Sequence, residues 1–382
     1  MTIVFISNYY NHHQSDFSEN MHRETNGNYY FIATQPMEEE RKNMGWNVSD
    51  FPSFVKLQYK DESSRTECQN LIDNADVVIL GCASFTFLKN RLKRHKLTFK
   101  YLERPYKQEP EWYRLISHSL KCFWRYERFG NVYTLCASAF TASDLRRIHA
   151  FKNKCFKWGY FPAVKHYDNI EEVIDNKRKH SILWVSRFIE FKHPEVPIEV
   201  ARRLKKEGYD FHLTMIGVGP LVEATTRKIK ELGLDDNVEI LGSMSPQEVR
   251  SHMDDSEIFM FTSDKNEGWG AVLNESMNSG CAVVGSHCIG SVPYLIKDGE
   301  NGLIYKHGDM EDVYDKIKML LTDDKQRKSM AKEAYKTLSD TWNAKTASKR
   351  LINLIQALGK KEATPYKDGP CSKAEIMFDN WK

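Results

Sequence analysis

The stretch EIFMFTSDKNEGWGAVLNESMNSGCAVVGS, residues 257–286, reads as strand, polar turn, helix, glycine stop and strand. EIFMFTS (257–263) and CAVVGS (281–286) are short apolar runs suited to a parallel sheet covered on both faces. Between them a helix is predicted from Ala271 to Ser279, with Leu273, Met277 and Gly280 on its apolar stripe. Gly280 can adopt the left-handed backbone that closes such a helix.

The same alternation runs outward in both directions. In the first half TIVFIS (2–7), YYFIAT (29–34), DVVIL (76–80), FKYL (99–102) and VYTLCAS (132–138) are strand-like, while 63–73, 85–95 and 112–128 read as helices. The second half repeats the pattern in SILWVSRF (181–188), FHLTMIG (211–217) and NVEILG (237–242), with helices over 194–207, 220–232, 246–253, 310–321 and 325–338. The fold class expected is α/β: two doubly wound Rossmann-like domains facing a cleft, with ligands beyond the carboxyl ends of the strands. The boundaries expected are 1–160, a linker over 161–180, 181–340, an amphipathic helix over 341–358 that crosses back, and a polar, poorly ordered tail over 359–382.

Composition narrows the class. The 382 residues carry a formal net charge of only +3, too little to argue for nucleic acid, and the aromatics do not interleave with the basic residues as strand-binding surfaces require. MTIVFIS is too short for a signal peptide and no run approaches a membrane span, so a cytoplasmic protein is expected, with peripheral contact at the inner face of the membrane left open. Eight cysteines, without a CxxC pair, are expected to be buried thiols, and no metal site is expected. Lys89, Arg91, Lys93, Arg94, His95 and Lys96 form a basic cluster, read either as a solvated helix face or as an attraction for an anionic membrane or substrate.

Local chemistry gathers at the predicted strand ends. Gly268 and Gly270 allow close backbone approach, and the free N–H groups of residues 270–273 would face an anion at the helix start. Glu275 and Glu267 can each accept hydrogen bonds from sugar hydroxyls. Arg187 and Lys192, after the LWVS run, suit a diphosphate, the guanidinium as a fork and the ammonium as a point charge. IGVGP (216–220) lacks the third glycine of a dinucleotide fingerprint, so Gly217 and Gly219 fit a tight turn equally well, and no P-loop motif occurs.

The first half offers SNYYNHHQSDFSENM (7–21), read as a polar loop in which Asn8, His12, His13 and Asp16 are candidates for binding an acceptor sugar. Glu103 and Arg104 end a strand and could hold a substrate or form an internal salt bridge. WYRLISHSLKCFWRY (112–126) has Trp112, Leu115, Ile116, Ser119 and Phe123 on one side; packing on the first sheet is the ordinary expectation, an interfacial membrane helix the other.

Taken together these motifs resemble the family 4 glycosyltransferases, a retaining class with the GT-B fold. Glu267 to Glu275 in EGWGAVLNE matches that family's E-x7-E element, Arg187 and Lys192 its diphosphate clamp, and IGVGP its GxGP. WGYFP (158–162) and ERPYK (103–107) look like a subgroup that builds bacterial surface polysaccharides.

The resemblance implies catalytic roles for Glu267 at the transferred sugar and for Arg187 and Lys192 at the leaving diphosphate. Glu275 would hold the ribose. Gly268, Trp269, Gly270, Ala271, Val272 and Leu273 would approach the sugar and distal phosphate through their backbone, and Gly217 and Gly219 would line the donor. The base would lie by GSMSP, at Gly242 and Met244. A UDP- or GDP-sugar would be co-substrate, without a cofactor, and a glycan or lipid-linked glycan the acceptor.

The reaction implied is retaining hexosyl transfer without a metal, since no D-x-D motif stands at a strand end. The alternatives are a nucleotide-sugar epimerase of the same shape and a non-catalytic sugar-nucleotide binder. Two departures stand out: SNYYNHHQ replaces the family's glycine-rich first loop, and FKYLERP lacks its histidine, so the catalytic residue of the first domain stays unassigned.

Overall fold

The computed structural model describes residues 1–39 and 50–382. The chain forms two compact units, Met1–Ala163 with Asn343–Phe378, and Val164–Trp342 with Asp379–Lys382.

The first unit is built on a seven-stranded sheet of order β3-β2-β1-β4-β5-β6-β7. Its strands are β1 (Ile3–Ser7), β2 (Tyr29–Ala33), β3 (Val55–Leu57), β4 (Val77–Leu80), β5 (Thr98–Leu102), β6 (Val132–Cys136) and β7 (Cys155–Lys157). All pairings are parallel. β1 and β4 are buried along their whole length, as strands covered on both faces must be.

The second sheet has order β10-β9-β8-β11-β12-β13. It comprises β8 (Arg178–Val185), β9 (His212–Ile216), β10 (Val238–Ile240), β11 (Ser256–Phe261), β12 (Ala282–Ser286) and β13 (Leu303–Tyr305), again all parallel. Ile182, Trp184, Met215, Ile258, Met260 and Val284 from four of these strands meet Leu204 and Ile317 from flanking helices in one core. Two doubly wound sheets in series are therefore present.

Three expectations are corrected. The stretch read as a polar loop after β1 contains a helix, His12–Glu24. The Asn11 side chain caps it by accepting from the His13 N–H at 3.0 Å, and Phe17 and Met21, four residues apart, bury one thin apolar edge. The tail is not loosely attached. Phe156 and Lys373 form an antiparallel bridge, the Cys371 N–H donates to the Lys157 carbonyl at 2.8 Å, and Cys371 and Ser372 are fully buried. The tail thereby covers β7, which would otherwise expose an edge of unpaired backbone groups.

The basic cluster is a solvated face only in part: Lys89, Lys93, Arg94 and His95 are exposed, but Arg91 is not. Arg91 is fully buried, and its guanidinium donates to the carbonyls of Ile72 (2.7 Å), Ala75 (3.1 Å), Asp76 (3.2 Å) and Leu97 (2.7 Å) and to the Thr98 hydroxyl (3.1 Å). Burial pulls its pKa down to about 10. Arg94 and Lys96 add bonds to the Asp73 and Asn74 carbonyls, so part of the cluster closes helix ends onto β5. Seven of the eight cysteines are buried, with Cys82 exposed.

Candidate functional site

In the second sheet the chain leaves β8 through β9 and β10 on one side and returns to β11 on the other. The switch point lies between the carboxyl ends of β8 and β11, where open α/β sheets leave a crevice. Arg187 and Lys192 follow β8 and Glu267 follows β11, so sequence order and topology converge on this place.

Lys192 and Glu267 meet there. Their ammonium and carboxylate form a direct ion pair, with side chains only 12% and 13% exposed. Ser263 adds a hydroxyl donor to the same carboxylate at 3.0 Å. Lys192 is held from behind: its carbonyl accepts from the Thr262 hydroxyl at 2.6 Å, and that hydroxyl accepts from Trp184 Nε1 at 2.8 Å. Thr262 and Trp184 are both about 1% exposed, so two core residues, one just after β11 and one in β8, fix the backbone that carries the lysine. His193, in the left-handed region at φ 52°, turns the chain immediately afterwards.

Arg187 is exposed, and among the described residues no acceptor is bonded to its guanidinium. Gly217 and Gly219 shape its loop. The Ser186 N–H donates to the Ile216 carbonyl at 3.0 Å and the Phe188 N–H to the Val218 carbonyl at 2.9 Å, so the two loops run as one ribbon past the sheet. A Cβ on Gly217 would fall 1.8 Å from the Ser186 carbonyl oxygen, and one on Gly219 2.4 Å from that of Phe188. Their φ angles of 143° and 152° would also strain any other residue. The glycines of IGVGP therefore answer first to backbone packing against the arginine loop.

The helix of the opening stretch spans Val272–Asn278. Among the described residues no acceptor is bonded to the backbone N–H groups of Gly268, Gly270, Ala271 and Val272, as expected of a turn leading into a first helical turn. Gly270 has φ +78°, and its missing Cβ makes room for the Phe261 ring, which a Cβ would approach to 2.2 Å.

The Trp269 side chain is core: it is 1% exposed, donates to Asn274 Oδ1 at 2.9 Å and lies beside Trp342. Leu273 is fully buried as well, so neither side chain reaches a ligand, and the Leu273 N–H, expected to be free, donates instead to the Gly270 carbonyl at 3.0 Å. Glu275 is partly buried, with no hydrogen-bond donor on its carboxylate among the described residues. Burial pushes its pKa above the usual carboxylate range, with Arg250 opposing.

At the end of β10, Gly242 sits at φ 73° and its carbonyl accepts from the Gly217 N–H at 2.8 Å. Met244 is half-buried beyond it, and Ser245 caps the following helix in a reciprocal bond with Glu248.

The first unit has its own switch point, between β1 and β4, and a cavity of about 460 Å³ opens there. Of the candidates named from the sequence, Asn8, His13 and Glu103 line it, while His12, Asp16 and Arg104 do not. Arg104 is 5% exposed and paired with Asp144 at 3.4 Å, with the Phe140 ring beneath it. The internal salt bridge thus prevails, with Asp144 rather than Glu103 as partner.

His12 begins the capped helix, and burial lowers its pKa. The residues that sequence reasoning missed are aromatic. Tyr160 donates to the Glu103 carboxylate and shares a hydrogen bond with Tyr101, and burial raises both phenols well above their usual pKa, with Glu103 adding to it. Together with Phe17 and Trp158 they make flat walls beside polar groups, an arrangement able to hold a sugar ring.

Two doubly wound parallel sheets in series, each with polar side chains gathered at its switch point, define the GT-B fold class. Residues 167–337, a stretch within the second unit, match the family model of the glycosyl transferases group 1.

Putative colanic acid biosynthesis glycosyltransferase WcaL of Escherichia coli (strain K12) is 27% identical over 183 residues, 46% of this chain and 45% of that protein. Amylovoran biosynthesis glycosyltransferase AmsK of Erwinia amylovora is 33% identical over 135 residues, 34% of this chain and 33% of that protein. The chain thus spans less than half the length of these curated relatives. Over the whole fold it is similar to Alr3699/HepE of Anabaena, solved in complex with UDP, with a TM-score of 0.68 at 13% identity, covering 94% of this chain and 100% of that one. At that identity the likeness concerns fold alone.

Proposed function

We propose that the chain is a retaining glycosyltransferase that moves a hexosyl group from a nucleotide diphosphate sugar to a hydroxyl of a glycan or lipid-linked glycan. The observation that carries this reading is the Lys192–Glu267 pair at the switch point of the unit that matches the glycosyl transferases group 1 model. Arg187, unpaired and exposed in the neighbouring loop, supplies the second positive charge for a diphosphate.

In this reading the bond between the anomeric carbon and the diphosphate oxygen breaks, and a new bond forms from the acceptor oxygen on the same face. The acceptor's proton passes to the departing diphosphate. Negative charge grows on that leaving group in the transition state, so Arg187 and Lys192 stabilise it more than the ground state. A bound diphosphate competes with Glu267 for Lys192, which leaves the Glu267 carboxylate for the sugar hydroxyls. Glu275 takes the ribose, and Gly242 and Met244 border the base. The cavity of the first unit, with Asn8, His13 and Glu103, takes the acceptor. No step is assigned to a metal, because the sequence places no D-x-D motif at a strand end.

The names of WcaL and AmsK, both of polysaccharide biosynthesis, support a glycan acceptor. The UDP held by HepE makes UDP-sugars the first donors to try, GDP-sugars the second. The test is incubation with each donor, with and without glycan acceptors, reading nucleoside diphosphate release and the anomeric configuration of the product. Acceptor-dependent release with retention is expected. Epimer formation without acceptor, or binding with no turnover on any donor and acceptor pair, would overturn the reading.

A further inference from the structure

The helix Trp112–Arg125 of the first unit carries the largest exposed apolar display among the described residues. Trp112 is 72% exposed, Trp124 58%, Leu120 57%, Ile116 53%, Phe123 51% and Tyr113 50%. At about 100° per residue these six side chains occupy a continuous arc of roughly 120°. The opposite side rests on the unit through Leu115, buried Cys122 and His118, whose ring nitrogen hydrogen-bonds to the Tyr106 hydroxyl at 2.9 Å. The expected packing of Trp112, Ile116 and Phe123 onto the sheet is therefore corrected: those side chains face away from it.

Charge completes the pattern. Arg114, Lys121 and Arg125 lie side by side along one flank of the arc, and the helix contains no Asp or Glu. Arg128, just beyond, stacks over the Trp124 ring at 4.9 Å. Of the acids before the helix, Glu109 is paired with Arg147 and Glu111 is the first residue outside. Tryptophan and tyrosine at the two ends, aliphatic residues between them and a uniformly basic flank suit a helix lying in a lipid interface, with rings at headgroup depth and cations on phosphates. A second copy of the chain would bring two basic flanks to one rim with no acid on either helix to answer them.

We infer that this helix docks the protein in plane on an anionic bilayer, its apolar arc seated below the headgroups and Arg114, Lys121 and Arg125 on lipid phosphates. The inference is independent of the transferase reading, because it is measured without substrate.

The experiment is co-sedimentation of the full chain with phosphatidylcholine vesicles, with and without phosphatidylglycerol. Binding is expected only with the anionic lipid and should weaken as salt rises. Each replacement of a flank residue by Gln should weaken it about fivefold, and the triple variant R114Q/K121Q/R125Q on the order of a hundredfold. Ile116→Asp with Leu120→Asp should abolish it while the melting transition is retained.

If that variant fails to fold, quenching of wild-type tryptophan fluorescence by brominated anionic lipid decides instead. The quenching should be largely lost in W112F/W124F, which keeps an aromatic side chain at each position. Equal binding to neutral and anionic vesicles, absence of binding to both, or a dimer broken by Leu120→Asp without vesicle binding would overturn the inference.

Discussion

The pairing of Lys192 with Glu267 makes a prediction that separates chemistry from stability. Both side chains are about seven-eighths withdrawn from water, and Glu267 has Ser263 as its other hydrogen-bond donor. Lys192→Ala leaves that carboxylate nearly out of water with one neutral partner. Breaking a fully buried pair costs about 3–5 kcal/mol; this one keeps some solvent, so about 2–3 kcal/mol of unfolding free energy is expected to be lost. Glu267→Gln strands the ammonium less severely, because the amide oxygen still accepts from it. In K192A/E267Q no unpaired charge remains, so the double variant should be more stable than the sum of the single losses predicts, by about 1–2 kcal/mol.

Activity should follow another pattern. Losing one cation from a developing diphosphate charge lowers turnover by about 10²–10³-fold, and restoring stability in the double variant does not restore it. Urea unfolding gives the first set of numbers, and nucleoside diphosphate release at saturating donor and acceptor gives the second. Turnover of Lys192→Ala within threefold of wild type would remove the lysine from the chemistry, and strictly additive stabilities would show that the pair seen here has no energetic weight.

Other predictions follow from burial and fit. Gly217→Ala places a Cβ 1.8 Å from the Ser186 carbonyl oxygen, so the second unit should lose about 2 kcal/mol or more and nucleotide affinity should fall as the Arg187 loop shifts; thermal melting and UDP titration read both. Arg91→Met strips donors from the Ile72 and Ala75 carbonyls, in buried bonds, and from the partly buried Asp76 and Leu97 carbonyls, and should cost about 3–5 kcal/mol by urea unfolding, with a wild-type donor KM under folding conditions.

Glu275→Gln should stabilise the ligand-free protein at pH 7 while weakening nucleotide binding. Burial raises the folded carboxyl above its unfolded value of about 4.3, so its protonated form is favoured by folding; that contribution is present below the unfolded pKa and is lost as pH rises through the folded one. Melting curves from pH 4 to 8 should therefore show wild type and Glu275→Gln converging at the acid end. A gap that does not change with pH would assign Glu275 no buried charge.

How much of this was written in the sequence depends on whether a local rule or a distant partner set each feature. The unit 257–286 was legible because each part obeys a short-range rule: apolar runs become β11 and β12, and Gly280, at φ 68°, ends the helix between them. Lys192 and Glu267 could be placed from such elements alone, since parallel strands bring their carboxyl ends to one edge. That they touch could not, because Thr262 and Trp184, which hold the lysine, reveal themselves only as core residues in three dimensions.

The first unit resisted for the same reason in reverse. His12–Glu24 buries Phe17 and Met21 behind a polar majority, so periodicity had little to report, and Arg104 finds Asp144 forty residues away. Trp112–Arg125 shows the limit of amphipathic patterning most clearly. An apolar stripe says that a helix has something to hide; only the sheet beneath it, already satisfied by Leu115 and Cys122, says that the stripe was not hidden there. The sequence supplied the stripe and its basic flank, and the fold supplied the fact that both face outward, which together turn an ordinary packing surface into a candidate for lipid.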